Sequence, residues 1–579
     1  MAFSQQDMVV FWLTFAAYLV LLVIMGVISK RRTKNITDFM VASRGIGSLL
    51  TGLSYGVTYF SAVLLIGCPG LTWMLGSQWM IVTLMNLGFG TFAAFLILGE
   101  RTRSMSEKLG ALTLPELIAE RYQDEKVIRP LAGIVIAVFQ VIYLVSIFNG
   151  LSLLLQIMFP GVEEAYTIAV VLCGCITAAY LVIGGSHSAI LSDLLESMVM
   201  LAGLLTITIA GVVVAGGLSG LNANIYADIA AAGASSLATP PESYYASNPE
   251  AWFLFPNVLS MSMVGMALVT TFGTWGSPQM ATRFFTAKDR RSIRYGMIVA
   301  CVWVFVVSFC AWFVGYVGRG QDIPGGATES LKQFAIAQSG SETLPKNWYE
   351  YTMPWLLGER QILPLAFAAL FLAAVTAASL TTGEKLILVA SSAVARDFYQ
   401  KGVARGKEVS DETTLKITRI AIVVIVFVAV VLALNPPATI LDLTMFSWAS
   451  LNAFTLVPFV AGLYWKGGTK KAVVISGLVA LFTAIAWFVL FNPKWRTPGL
   501  PIFPPSSEVG SFDLRSLLPE SWQAVVPFQM RPGDIHEFIV SQLVAIPTFF
   551  VVSALDRKGK PDREFLDGLF SHITADTNE

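Results

Sequence analysis

The chain repeats one feature that restricts its fold before any motif is read: apolar runs of about 20 residues, the length needed to cross a bilayer, recur along nearly all of its 579 residues. Thirteen such runs begin near residues 8, 47, 78, 131, 165, 196, 253, 294, 361, 418, 440, 471 and 538. With 55% apolar and 13% charged residues, against roughly 25% charged in soluble domains, the chain must meet lipid over most of its surface. The pattern predicts an all-α polytopic membrane protein of about 13 transmembrane helices. The first run, Met8 to Ile28, precedes Lys30-Arg31-Arg32 and exceeds a signal-peptide core in length, so it reads as a retained helix.

Charge position sets the expected orientation. With the N-terminus outside, the inner loops hold 29 Lys/Arg and the outer loops 8, leaving Lys385 as the one basic residue assigned to the membrane interior. That bias favours N-terminus out and C-terminus cytoplasmic, in the cell membrane. Net charge is zero, which gives no reason to expect a nucleic-acid partner; the expected partners are a small solute and membrane lipid, with no obligate protein partner evident. Cys68, Cys173, Cys175, Cys301 and Cys310 all lie in apolar stretches and read as packing residues. His187, His536 and His572 are scattered, and no nucleophile and base spacing or phosphate loop appears, so no catalytic residue is assigned and an enzyme is not expected. Three outer loops, near 219 to 252, 319 to 360 and 493 to 537, are rich in Gly, Pro, Ser and Asn and read as solvated connections.

Transporter folds expose their binding sites through Gly/Pro-interrupted helices at matching positions of two repeats. The second run passes through Ser54 to Ser61 and meets a break signal at Gly67-Cys68-Pro69-Gly70. The seventh ends in Phe272-Gly273-Thr274-Trp275-Gly276-Ser277-Pro278. The two stand five helices apart, and an odd repeat length forces inversion. The expected organisation is residues 1–46, first helix and inner loop; 47–218, first inverted repeat; 219–252, outer loop; 253–465, second inverted repeat; 466–555, two added helices; and 556–579, a cytoplasmic tail.

Several stretches, in order, resemble the sodium:solute symporter family over roughly residues 8 to 475. They are Asp38-Phe39-Met40-Val41-Ala42-Ser43-Arg44-Gly45-Ile46-Gly47, Thr113-Leu114-Pro115-Glu116, Gly276-Ser277-Pro278-Gln279 through Arg283 with Ala287-Lys288, Ser391-Ser392-Ala393 through Asp397-Phe398-Tyr399, and Gly462-Leu463-Tyr464-Trp465-Lys466. Trp448-Ala449-Ser450 brings the chain nearer the proline and pantothenate branch. The resemblance implies a secondary active transporter, symporting sodium with a small organic solute by alternating access. It implies sodium ligands at Val57 and Phe60 (carbonyls), Ala378 (carbonyl), Thr381 and Thr382 (hydroxyls), with sodium the only metal, and Asp193 on the ion's path inward.

Two positions depart from the family. Tyr59 stands where proline-type members carry an aspartate. Lys385 lies one turn beyond Thr381, where a lysine at membrane depth costs on the order of 3 kcal/mol unless paired or wetted; Asp193, Glu196 and Glu384 are the available acids. An ammonium reaching the threonines would replace sodium and make proton coupling, or ion-independent transport, the alternative mechanism; a solute sensor that keeps the fold is another. The solute-lining candidates beside the breaks are Tyr59, Ser61, Thr271, Thr274, Trp275, Ser450 and Asn452, with Gln78 as an outlying one. The scarcity of amides and carboxylates there favours an organic acid or amino acid over a sugar.

Overall fold

The computed structural model describes residues 44–61, 63–156, 164–234, 245–254, 261–340, 342–345, 347–359, 365–404, 409–491 and 535–578, with isolated positions between 9 and 41, Val162 and Ser516. Side chains within 183–189, and that of Thr381, lie outside the described set. Among the described residues every regular element is helical, and the sole β-bridge joins Ile46 to Ala287.

The helices used below are α1 (Ser48–Tyr59), α2 (Cys68–Leu75), α3 (Glu100–Lys108), α4 (Leu114–Arg121), α5 (Ile128–Leu155), α6 (Ala165–Val214), α7 (Met261–Phe272), α8 (Pro278–Thr286), α9 (Arg290–Arg319), α10 (Leu365–Ser392), α11 (Asp411–Leu434), α12 (Ile440–Tyr464), α13 (Lys470–Phe491), α14 (Glu537–Leu555) and α15 (Arg563–Asn578). Nine helical stretches among the described residues are long and apolar enough to span a bilayer, and two shorter apolar ones, Ala165–Ala179 within α6 and Met263–Phe272 within α7, accompany them. The first expected crossing lies almost wholly outside the described residues.

Burial orders the bundle. The span that includes α10 is 93% buried, whereas those of α13 and α14 are 33% buried. α10 is therefore the central post, packed on α5 and α6, while α13 and α14 pair at the edge and turn Phe482 and Leu543 outward. A run of exposed large apolar side chains of this kind matches a lipid-facing surface rather than a wet one.

Two expectations change. The crossings predicted near 165 and 196 follow one another without a loop, within the 50 residues of α6, and remain two crossings: Gly174 faces Val430 late in α11 and Gly211 faces Val317 late in α9, while Asp193 between them meets Lys385. The outer segment 219–252 carries a helix, Gly217–Ala234, and 319–360 carries Ala327–Ser339, so these two connections are folded. They are tied down by charge: Arg319 Nε donates to Asp228 at 2.8 Å, Arg319 Nη1 to the Trp73 carbonyl at 2.9 Å, and the Thr328 hydroxyl to Asp228 at 2.6 Å, all buried. Finally, Gly67-Cys68-Pro69-Gly70 does not break the second helix. Gly67 keeps right-handed helical dihedrals, and Pro69 falls where the wide-wound Val63–Gly67 passes into the first turn of α2. Gly70 serves close packing, since a Cβ there would lie 2.4 Å from the Tyr349 carbonyl oxygen.

Candidate functional site

The break in the second helix lies seven residues upstream of the expected glycine. The last helical bond of α1 joins Phe60 N–H to the Gly56 carbonyl at 3.1 Å, and Phe60 itself is extended (φ −113°, ψ 124°). The carbonyls from Val57 to Phe60 thus lie past the end of the α1 ladder. Ser61 turns the chain: its Oγ accepts Val63 N–H at 3.2 Å and its carbonyl accepts Leu64 N–H at 3.0 Å, leading into the wide-wound Val63–Gly67.

The break in the seventh helix falls where Gly-Ser-Pro predicts it, between Phe272 and Pro278. Two side chains of α12 take over the lost backbone partners. Asn452 Nδ2 donates to the Gly273 carbonyl at 2.6 Å, Asn452 Oδ1 accepts Gly276 N–H at 3.0 Å, and Thr455 Oγ1 donates to the Gly276 carbonyl at 2.7 Å. Unwound backbone at membrane depth persists only with such substitutes. Gly276 is required here, because a Cβ would stand 2.5 Å from Asn452 Oδ1. Asn452, expected to line a solute, has its amide engaged on the break.

The third helix joins the two breaks. It passes from α-helix to a π-wound segment at Asn86–Ala93, and Asn86 Oδ1 accepts both the Thr270 hydroxyl (3.1 Å) and the Thr271 hydroxyl (3.0 Å). Tyr59 Oη donates to the Thr270 carbonyl at 2.9 Å, Tyr55 Oη to the Gly90 carbonyl at 2.8 Å, and Trp275 Nε1 to the Phe89 carbonyl at 3.0 Å. Thr274 bonds back to the Thr271 carbonyl at 2.7 Å.

Beside this junction is a cavity of about 60 Å³ lined by Tyr59, Phe60, Ser61, Asn86, Thr270, Tyr143, Ser308, Thr444 and Trp448 among others. Of the solute-lining candidates it contains Tyr59 and Ser61; Thr271, Thr274, Trp275, Ser450 and Asn452 are not in its wall. Gln78 is also elsewhere, its amide donating to Tyr245 Oη at 3.3 Å. Asn86, Tyr143, Ser308 and Trp448 were not singled out as lining residues from sequence. Asn86 carried a signal, a lone amide before Gly88 and Gly90; the others are ordinary helix-packing types.

Among the sodium-ligand candidates, Val57, Phe60, Ala378 and Thr382 are all buried, and α1 packs against α10. Thr382 Oγ1 donates to the Ala378 carbonyl at 3.0 Å. That bond uses the hydroxyl proton and leaves the oxygen's lone pairs as acceptors, which a hard cation requires. The Thr381 side chain lies outside the described residues.

One turn from these positions sits a buried charge cluster. The Lys385 ammonium is ion-paired with Asp193 Oδ1, and the Ser54 hydroxyl donates to Asp193 Oδ2. Arg283 Nη1 donates to Ser54 Oγ at 2.8 Å and stands 3.8 Å from Asp193 Oδ2. Asp193 and Lys385 are 0% and 1% exposed. Asp193 is thus the acid that answers Lys385. Arg283, assigned to an inner loop from sequence, is a second buried cation, carried inward on α8 by the break before it.

A further cavity of about 40 Å³ is lined by Lys385, Arg283, Thr113 and Asp397 among others. Beside Asp397 stands Arg129, ion-paired with Asp397 at 2.8 Å and with Glu116 at 3.0 Å, with Arg396 on Glu116 at 2.9 Å. Thr113 caps α4 through Glu116 N–H at 3.2 Å and donates to Asp397 at 3.1 Å. The Thr-Leu-Pro-Glu stretch is therefore a helix cap and an ion-pair node at once. Burial acts to raise the Glu116 carboxyl, but Arg129 and Arg396 outweigh it and hold it below the usual range. Nearby Glu120 is pushed up to about 7, first by burial and then by its hydrogen bond to Glu125.

Residues 39–480 match the sodium:solute symporter family. The chain belongs to that family. Its relatives include the osmoregulated proline transporter OpuE of Bacillus subtilis (strain 168), 24% identical over 472 residues covering 81% of this chain and 87% of that protein. The sodium/proline symporter of Staphylococcus aureus is 26% identical over 487 residues, covering 82% and 86%. The solved structure of the substrate-bound, outward-open state of a sodium-coupled sialic acid symporter superposes with a TM-score of 0.66 at 15% identity, covering 94% of this chain and 97% of that one. The fold is that of a membrane-embedded secondary transporter, as the two interrupted helices imply.

Proposed function

We propose that this family member is a sodium-coupled symporter of a small organic solute, an amino acid or organic acid rather than a sugar. It works by alternating access in the cell membrane, with its N-terminus outside and C-terminus cytoplasmic. The observation that carries the reading is the meeting of two interrupted helices, at Phe60–Ser61 and at 273–277, across Asn86 and Thr270. The proline relatives make a small amino acid the first solute to try. The cavity contains no acid or base among its described lining, and Trp448 Nε1–H has no partner among the described residues; a free donor without an adjacent carboxylate suits a carboxylate-bearing solute.

Sodium would take Val57 and Phe60 carbonyls with Ala378, Thr381 and Thr382, between two five-helix repeats spanning 47–218 and 253–465. Solute would contact Tyr59 and Ser61, and Asp193 and Lys385 would flank the inward route past Thr113. Rocking of one repeat against the other would expose the site to each side in turn. The test is uptake in proteoliposomes across a panel of amino acids, organic acids and sugars, with sodium and proton gradients imposed separately. Sodium-driven accumulation of one solute class is expected. Accumulation that follows pH and ignores sodium would refute sodium coupling and favour the proton-coupled alternative that the Lys385–Asp193 pair suggests. Specific binding with no uptake would favour a sensor.

A further inference from the structure

The candidate sodium ligands and the charge cluster form two levels on the same helices. Ser54 precedes Val57 by three residues on α1, and Lys385 follows Thr382 by three on α10, so each lies one turn below a ligand of the upper level, on the same face. The lower level gathers a buried carboxylate oxygen pair from α6 and a hydroxyl oxygen from α1, beside a cavity whose wall includes Lys385, Arg283, Thr113 and Asp397. Carboxylate and hydroxyl oxygens converging from separate helices are the donor set of a cation site. A buried carboxylate there requires a counter-charge, because an isolated one is strongly disfavoured away from water. Here the counter-charge is part of the chain itself: the Lys385 ammonium is ion-paired with Asp193 Oδ1, and Arg283 stands 3.8 Å from Oδ2.

We propose that Lys385 is a permanent intramolecular cation standing where a second coupling ion would otherwise bind, so that each solute travels with the sodium of the upper level alone. The inference rests on the sodium-symport reading and adds its stoichiometry. The ammonium is directed to Asp193 across to α6, so it leaves the threonine level to a mobile ion. It also neutralises Asp193 in every state of the cycle, so a sodium arriving at the lower level meets Lys385 and Arg283 rather than a free acid.

The experiment is the ratio of labelled sodium to labelled solute taken up by proteoliposomes, together with the sodium dependence of solute binding, for the full chain and three variants. The wild type is expected to show a Hill coefficient for sodium of about 1, and Lys385→Ser, which opens Asp193 and Ser54 to an ion, about 2, the coefficient being bounded by the number of sites. Lys385→Arg keeps a fixed cation and is expected to stay with the wild type. Should Lys385→Ser fail to fold, Lys385→Gln, which removes the fixed charge but keeps a long side chain beside Asp193, is read for the same rise in ratio. A sodium-dependent wild type whose folded Lys385→Ser or Lys385→Gln variant keeps the wild-type ratio overturns the inference. So does a Lys385→Arg variant whose ratio rises, since a fixed cation at that place would then not exclude the ion. A wild type indifferent to sodium instead overturns the symport reading itself, and the two failures are read from different samples.

Discussion

Replacing Asn452 by alanine separates two roles for that residue. In the structure its amide donates to the Gly273 carbonyl at 2.6 Å and accepts Gly276 N–H at 3.0 Å. The Gly273 carbonyl keeps a second donor, the Ser277 hydroxyl at 2.5 Å, so its loss is partial. Gly276 N–H loses its only side-chain acceptor among the described residues. An orphaned buried donor costs about 1 to 3 kcal/mol, and a shared acceptor about 1 more, so Asn452→Ala is expected to destabilise the broken helix by about 2 to 4 kcal/mol. Thr455→Val removes the donor on the Gly276 carbonyl that the described residues supply and is expected to cost about 1 to 2 kcal/mol. The assay is thermal and denaturant unfolding of purified protein in detergent without solute, followed by solute titration. A fall in stability without solute, larger for Asn452→Ala than for Thr455→Val, is expected. An Asn452→Ala protein as stable as the wild type but weakened only in solute binding would refute the clasp and return Asn452 to the solute-lining set.

Gly90→Ala is expected to impair solute binding, because its Cβ would lie 2.3 Å from Tyr59 Oη; Tyr59→Phe should relieve part of the damage, giving a coupling of about 1 kcal/mol in a double-mutant cycle, and additivity would contradict the contact. Arg129→Met leaves Glu116 and Asp397 without their shared cation and is expected to cost about 3 to 5 kcal/mol, read as lost folded yield, with partial recovery when Asp397→Asn is added. Glu120 is raised to about 7 in the folded chain against an ordinary value of 4.5. Its folded state therefore holds the proton more tightly, and this contribution to stability is complete below pH 4.5 and lost as pH rises through about 7. Hydrogen exchange at residues 114–129, corrected for intrinsic rate, should quicken between pH 6 and 8, and Glu120→Gln should flatten the change; an unaltered wild-type profile would count against it.

The helical spans were legible because each apolar run near 131, 294, 418, 440, 471 and 538 must satisfy its backbone internally in lipid. The seventh-helix break was legible for a local reason, Gly-Ser-Pro at 276–278. The first break was displaced because a glycine and a proline have uses other than breaking: Gly70 admits Tyr349 and Pro69 opens α2, while the chain turns at Phe60 and Ser61, which carry no breaking signal. Lys385 announced the need for an acid, and Asp193 was among three candidates; choosing it required knowing which helix faces which. Arg283 was hidden because a basic residue after Pro278 resembles a loop charge until the break turns α8 inward. Asn86 and Trp448 join the site only through contacts that span more than 180 residues and through a cavity wall, which no local pattern records. The folded outer segments were missed likewise, since Asp228 and Arg319 lie 91 residues apart.

Solute-stimulated sodium entry tests the central claim most directly. Proteoliposomes of the wild-type chain, loaded without sodium and given labelled sodium outside, are expected to take up sodium faster when the transported amino or organic acid is added, and Thr382→Ala should remove the stimulation while leaving the protein folded. Sodium entry that is the same with and without a solute the protein demonstrably transports would contradict coupling through the site at the broken helices.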